Sequence, residues 1–186
     1  MAQYRIGHVT DEDDLTAMLA GMIKAKLEGK IGGLNWSSSV VRDRRGEAAE
    51  EKRIGADMLI HVKLRTPALK YSKGVLVQAK RIDRGRQMTT VDHNNLIDQC
   101  NKMLKITPAA FVFDYMKGGM KCGSATRIAG SADRQLDRQC TITPFRFFYE
   151  LFRCPTGDPR ITSGLVAELP VPTVLTISAN GEIELT

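Results

Sequence analysis

Apolar residues recur three and four positions apart in several segments of the chain, the spacing that places them on one face of an α-helix. The first segment covers residues 11–28, with Thr10 ahead of it as a helix-starting residue and Gly29 after it as a stop. A second covers about residues 91–105 and ends before Pro108, whose ring disfavours helix at the preceding residue. The pattern therefore predicts two amphipathic helices.

Alternation of apolar and polar residues indicates two strands between these helices. In residues 56–64, Asp57 and His61 fall on one face and a row of apolar side chains on the other. The segment GVLVQAK, residues 74–80, is almost wholly apolar until Gln78, as expected for a central strand that is buried on both faces. The two strands are predicted to form a β-hairpin, with the connector RTPALKYSK as its loop.

Turn residues divide the rest of the first two thirds of the chain. A loop is predicted over residues 32–46, which contain a Gly-Gly pair and a run of serines. Residues 109–116 predict a further strand, and residues 120–129 its partner, with Gly118-Gly119 as the turn between them.

The C-terminal part predicts one helix and one hairpin. Pro144 opens the segment FRFFYELFRC at the first helical position, where proline is favoured. Aromatic residues at helical spacing are expected to be core, with Phe147 off the buried stripe. Asn180-Gly181 lies between two alternating runs and predicts a type I′ hairpin.

Composition narrows the class of protein. With 186 residues, the chain is expected to form one domain over 1–186. Its net charge of +6 favours polyanionic partners, because neutralised phosphates release counterions. No apolar run approaches the roughly 20 residues that cross a bilayer, and the start lacks a signal-peptide pattern, so we expect a cytoplasmic protein without a membrane partner. The scattered cysteines predict neither zinc nor a disulfide.

One group of polar residues lies where the two central strands meet. Gln78 and Lys80 are two positions apart, so both side chains point to the same side of their strand. Asp57 opens the neighbouring strand of the predicted hairpin. A carboxylate, a carboxamide oxygen and an ammonium would then converge at the end of an apolar sheet.

That grouping suits metal-dependent phosphodiester hydrolysis. Mg²⁺ (or Mn²⁺) takes hard oxygen ligands, which Asp57, the Gln78 side chain and the Ala79 carbonyl would supply. The ion would polarise the phosphate and lower the pKa of an attacking water, and Lys80 would orient that water and offset charge on phosphorus.

Acidic residues upstream are candidates for a further role. Glu50 or Glu51 would add a ligand or bind the water, and which of Glu47, Glu50 and Glu51 faces the site stays open. Without a metal site, these acids would only balance Lys52 and Arg53.

Asp57, a gap of about 20 residues and Gln78-Ala79-Lys80 at the end of an apolar strand resemble the PD-(D/E)XK nuclease signature, and VQAKR resembles its Mrr-like restriction endonuclease branch. The resemblance covers roughly residues 47–115. It implies an α/β, restriction-endonuclease-like central mixed β-sheet flanked by helices, with a core at about 47–130 and the segment 143–186 as an elaboration. It also implies that Gln99, on the helix after the QxK strand, contributes to the site.

The chain departs from the family pattern at two positions. No proline precedes Asp57, and Gln78 stands where an acid is usual, which removes one negative charge from the metal site. A lower metal affinity, or an inactive binding remnant, is therefore an alternative to an active enzyme.

Two basic runs have both a functional and a structural interpretation. Phosphate-backbone contact is one, and a solvated charged loop is the other. The runs are Arg81, Arg84 and Arg86 after Lys80, and Arg42, Arg44 and Arg45 in the first loop. His61 shares the face of Asp57, although a structural role is the simpler expectation.

Taken together, these features predict a Mg²⁺-dependent DNA endonuclease, with a role in restriction or phage defence suggested by family analogy alone. A chain of this size has little room for its own sequence-reading module, so a homodimer or a targeting partner protein is expected. The alternatives are an RNA nuclease with the same site, a catalytically inactive nucleic-acid-binding or complex-assembly subunit, and a protein–protein adaptor.

Overall fold

A mixed β-sheet of seven strands organises the chain, and the computed structural model describes residues 12–42, 53–67, 69–153 and 155–181. The strands are β1 (Gly29–Ile31), β2 (Leu34–Arg42), β3 (Met58–Arg65), β4 (Lys70–Lys80), β5 (Ala110–Met116), β6 (Gly119–Ser124) and β7 (Thr173–Asn180). Their order across the sheet is β1-β2-β7-β3-β4-β5-β6. The β3–β7 and β4–β5 pairs are parallel, and the other pairs are antiparallel.

Helices cover both faces of this sheet. They are α1 (Glu12–Lys26), α2 (Thr90–Ile106), α3 (Ala125–Ala129), α4 (Leu136–Gln139), α5 (Pro144–Phe152) and α6 (Ser163–Glu168). The predicted α/β class, a mixed sheet flanked by helices, is confirmed, and the arrangement is compatible with a restriction-endonuclease-like fold. No helix within the described ranges is long and apolar enough to span a bilayer.

The alternation in β3 and β4 divides the core between the two faces. Met58, Ile60 and Val62 pack with α1 and α5 in one cluster, and Leu59 and Leu76 pack with α2 in the other. Since β4 is buried on both faces from Lys73 to Ala79, its apolar run correctly predicted a central strand. Burying both faces of one strand fixes its register, because a slip by one residue would exchange the two clusters.

Two predicted loops are largely strand. Residues 32–46 contain β2, which pairs along its length with β7, and within the described part of this range Gly32-Gly33 forms the turn from β1. The hairpin connector is shorter than predicted, since β4 begins at Lys70 and pairs with Arg65. Pairing with the distant strand β7 overrides the weak strand propensity of the serines in β2, whereas continued pairing with the neighbouring strand β3 extends β4 back to Lys70.

Three further expectations are corrected. The predicted strand over residues 120–129 ends at Ser124, whose hydroxyl accepts from the Arg127 N–H and starts α3. Both edges of β7 are used, by β2 and β3, so the hairpin predicted around Asn180-Gly181 is wrong. The C-terminal strand consequently lies inside the sheet and is integral to it. In α5, Phe147 is buried while Phe145 is 80% exposed, so the predicted stripe is wrong at these two positions, whereas Phe148 and Phe152 pack against the core as predicted.

Candidate metal and phosphate site at the end of strand β4

The backbone of Asp57 is fixed between two strands just before β3 begins. Its N–H donates to the Val77 carbonyl at 2.9 Å, and its carbonyl accepts from the Thr173 N–H at 3.2 Å. Gly55 allows the chain before Asp57 to pass close to the Gln99 backbone, because its φ is +77° and an added Cβ would lie 2.4 Å from the Gln99 carbonyl oxygen. Only glycine tolerates both that conformation and that contact. Asp57 is thereby held against the end of β4.

The Asp57 carboxylate meets the QxK motif directly. Its Oδ2 accepts from Gln78 Nε2 at 2.6 Å and from the Ala79 N–H at 2.6 Å. Gln78 Nε2 also donates to the Ala79 carbonyl oxygen, at 3.1 Å. Asp57 is 7% exposed and Gln78 1% exposed, so water has little access to this network. The structure therefore brings together the three groups that the sequence suggested as metal ligands.

The orientation of the Gln78 carboxamide bears on whether these groups fit a cation. Its Oε1 is buried without a hydrogen-bond partner. Rotating the amide by 180° exchanges its oxygen and its nitrogen. The two atoms have nearly the same shape, so the hydrogen-bonding groups around them decide which position each one takes. It would bring Oε1 to the position of Nε2, 2.6 Å from Asp57 Oδ2 and 3.1 Å from the Ala79 oxygen. Three oxygen atoms would then converge, and because oxygens are the ligands that Mg²⁺ takes, the chemical types of these residues fit such an ion.

Lys80 lies beside this network on the same face of β4 as Gln78. Its Nζ is 3.9 Å from Glu12 Oε2, and its side chain is 20% exposed. The Lys80 charge also acts on the buried Cys100 thiol of α2, whose pKa is raised to about 12 mainly by burial. The ammonium thus stands at the boundary between the buried network and the solvent.

Glu12, the first residue of α1, belongs to this site and was missed from the sequence. Besides its contact with Lys80, its Oε1 accepts from the Arg81 N–H at 2.9 Å. The only signal was an acidic run, DEDD, at the start of the first helix. The predicted candidates Glu47, Glu50 and Glu51 lie outside the described residues.

A cleft of about 450 Å³ opens in front of Lys80. Its charged lining residues are Glu12, Lys80, Arg81, Arg86 and Asp92, and Asn95 and Gln99 are among the uncharged polar ones. The predicted contacts Arg81, Arg86 and Gln99 therefore meet at one cleft, and the Gln99 Oε1 is buried without a hydrogen-bond partner. Arg84 is exposed and is not part of the lining. The described residues do not include Arg44 or Arg45, and they leave out the side chain of Arg42.

Asp114 is a second buried carboxylate at this end of the sheet. It pairs in register with Lys80 and is fully buried. Its Oδ1 accepts from the Ile82 N–H at 2.9 Å, and its Oδ2 has no hydrogen-bond partner. Burial raises its pKa to about 7, opposed by the Ile82 hydrogen bond and supported by the charges of Asp137, Glu12 and Asp83. Asp114 therefore anchors the chain just after Lys80.

His61 does not reach the site. It pairs with Gly74 in the middle of the hairpin, about 13 Å from Asp57 at roughly 3.3 Å per strand residue. Burial, and then the neighbouring Lys63 charge, lower its pKa to about 4. It is a neutral core histidine.

Among the described residues, no three His, Cys, Asp or Glu side chains are close enough to hold a metal ion together. From the described part of the chain, a cation at Asp57 would therefore have one carboxylate, one carboxamide and one backbone carbonyl as ligands. Comparison with protein-family models, with curated proteins and with solved structures finds no match for this chain. The class of protein thus has to be inferred from the site itself.

Proposed function

We propose that the chain is a metal-dependent phosphodiester hydrolase of the PD-(D/E)XK type that cleaves DNA. The observation that carries the proposal is the meeting of the Asp57 carboxylate with the Gln78 amide and the Ala79 backbone, beside Lys80. A buried carboxylate and carboxamide, beside a partly exposed ammonium that lines a cleft with Arg81 and Arg86, suit the charge that develops in phosphoryl transfer.

Asp57, the Gln78 oxygen and the Ala79 carbonyl would hold one Mg²⁺ or Mn²⁺ ion. When bound, such an ion polarises the scissile phosphate and lowers the pKa of a water. Lys80 would orient that water and balance the charge on the phosphate. Glu12 would hold Lys80 in place through its 3.9 Å contact and fix the backbone of Arg81.

The cleft in front of Lys80 would receive the substrate. Arg81 and Arg86 would contact backbone phosphates, and Gln99 and Asn95 would donate hydrogen bonds from α2. These contacts do not read the sugar, so RNA is the alternative substrate for the same site. In the present conformation neither Asp57 nor Gln78 lines the cleft, so substrate binding requires a local opening near Lys80.

The test is cleavage of plasmid DNA and of RNA in Mg²⁺, Mn²⁺ or EDTA. Wild type should cut in the metals and not in EDTA, and Asp57→Ala and Lys80→Ala should lose about a thousandfold in rate. Lys105→Ala, an exposed lysine on α2 outside the cleft, is the matched control and should keep full activity. Activity that survives in Asp57→Ala, or in EDTA, would contradict the mechanism.

Gln78→Glu tests the metal ligands separately from catalysis. Replacing the carboxamide by a carboxylate adds one negative charge to the site, so Mg²⁺ should bind more tightly. Titration calorimetry with Mg²⁺ should show at least about a tenfold gain over wild type, and no binding for Asp57→Ala. An unchanged affinity in Gln78→Glu would mean that the ion does not bind there.

A second candidate function is a catalytically inactive nucleic-acid-binding or complex-assembly subunit, acting as a homodimer or with a partner protein. One observation favours it: Asp57 Oδ2 already accepts two short hydrogen bonds, and Gln78 contributes no negative charge. Such a subunit would bind DNA with the same affinity in EDTA as in Mg²⁺, and no metal would support cleavage.

A further inference from the structure

A second cleft, whose charged lining residues are all basic, lies at the opposite end of the β3–β4 hairpin. It has a volume of about 390 Å³ and is lined by Lys63, Leu64, Arg65, Lys70, Tyr71, Ser72 and Ser163. All but one of these residues belong to the hairpin, and Ser163 comes from the start of α6. The cleft shares no residue with the one in front of Lys80.

The cations of this cleft are concentrated by the register of the hairpin. Arg65 pairs with Lys70 and Lys63 with Ser72, so these four side chains lie on one face. No Asp or Glu is among the described lining residues. Lys63, Arg65 and Lys70 form no salt bridge with any residue that the structure describes. Like charges held this close repel one another, which an anion in the cleft would relieve.

We propose that this cleft binds backbone phosphates of the same nucleic acid that enters the cleft at Lys80. Lysine and arginine cations beside serine hydroxyls are side chains that contact phosphate oxygens in nucleic-acid complexes. An acidic protein surface would meet the same cations and hydroxyls, so the choice of a nucleic acid rests on the spacing between this cleft and the one at Lys80. The inference rests on the proposed function for the identity of the ligand.

The separation of the two clefts sets the length of nucleic acid that reaches both. Lys70 and Lys80 are the first and last residues of the 11-residue strand β4 and lie on the same face of it. At about 3.3 Å per residue they are roughly 33 Å apart. That is close to one turn of B-DNA, about 34 Å. A duplex longer than one turn should therefore contact both clefts, and a much shorter one should reach only one.

The experiment measures binding in EDTA, where no cleavage occurs, with a 24-bp duplex and a 6-bp hairpin duplex as probes. Fluorescence anisotropy gives log K against log salt concentration for wild type and for the triple variant Lys63→Gln/Arg65→Gln/Lys70→Gln. For the long duplex, the slope of the triple variant should be shallower than that of wild type by about 2 to 3, since each phosphate contact contributes about 1 to the slope. Its affinity should be at least about tenfold weaker. For the short duplex, the affinity of the triple variant should be less than about threefold weaker than that of wild type, because this duplex is expected to reach only the Lys80 cleft.

A matched control removes the same charge elsewhere. Lys24→Gln/Lys26→Gln/Lys30→Gln neutralises three exposed lysines that line neither cleft. An equal loss in this control would overturn the inference, because net charge alone would then explain the effect. An unchanged slope in the first triple variant, or wild-type binding to poly-glutamate but not to DNA, would also overturn it. If wild type binds as expected but cuts nothing, the hydrolase proposal fails and this inference stands.

Discussion

The two ends of β4 carry polar residues of opposite kinds. At the Lys80 end, Asp57 and Gln78 are buried and joined by short hydrogen bonds. At the Lys70 end, the cations are partly or fully exposed and form no salt bridge with the described residues. Buried polar groups cost free energy unless they are hydrogen-bonded, and they are then held in one geometry. The Lys80 end therefore holds its side chains in defined positions, whereas the Lys70 end presents exposed positive charge.

This contrast predicts that the two ends affect different kinetic constants. Lys80→Ala should lower kcat about a thousandfold, since it removes an interaction made in the transition state. Lys70→Ala should raise KM about threefold and leave kcat within about twofold, because it removes ground-state binding only. Steady-state cleavage of a long duplex in Mg²⁺ measures both. A fall in kcat for both variants would erase the difference between the two ends.

Asp114 provides the largest expected effect on stability at the Lys80 end. Its pKa in the folded protein is raised to about 7 by burial, against an ordinary value of 3.8. The folded protein thus keeps a proton that the unfolded chain releases, and stability falls as the pH rises from about 4 to about 7. The fall is roughly 4 kcal/mol, at about 1.4 kcal/mol per pH unit.

Asp114→Asn cannot ionise, so its free energy of unfolding should lack this fall. Urea denaturation of wild type and Asp114→Asn at pH 5, 6, 7 and 8 measures the difference. The variant should be the more stable of the two at pH 8, and more than half of that advantage should be gone at pH 5. Parallel pH profiles would show that Asp114 is already ionised in the folded protein.

His61, in the middle of the hairpin, should produce the opposite pH dependence. Burial lowers its pKa from 6.5 to about 4, so the unfolded chain takes up a proton that the folded protein does not. Its contribution is complete above pH 6.5 and is lost as the pH falls from 6.5 towards 4, by roughly 3 kcal/mol. His61→Gln should flatten the acid side of the stability profile in the same urea experiment. An unchanged acid side would assign acid unfolding to other groups.

The sequence predicted the parts of this molecule that depend on local pattern. The helices α1, α2 and α5, the β3–β4 hairpin and the convergence of Asp57 with Gln78 follow from periodicity and from the two-residue repeat of strands. What it missed depends on distant pairing. The strand β2 needs β7 as its partner, and Glu12 reaches Arg81 across 69 positions of the chain. No local preference encodes such contacts.

Gly55 and Gly85 permit a sharper test of how rigidly the Lys80 end is held. Both have a left-handed backbone, with φ of +77° and +76°. A Cβ at Gly55 would lie 2.4 Å from the Gln99 carbonyl oxygen, whereas a Cβ at Gly85 would meet nothing within 4 Å. Gly85→Ala should therefore lower the free energy of unfolding by about 1 kcal/mol, the conformational strain alone. Gly55→Ala should lower it by about 2 kcal/mol more, because α2 must move away.

Gly55→Ala also acts on the site, because Gly55 is two residues from Asp57. The added Cβ would push on the backbone of Gln99, whose side chain lines the cleft. Thermal unfolding gives the stability difference, and cleavage measured well below the melting temperature gives the rate. We expect Gly55→Ala to lose about tenfold in rate while Gly85→Ala keeps its activity. Equal costs for the two alanines would mean that α2 yields freely, and that the hydrogen bonds of Asp57 alone determine its position.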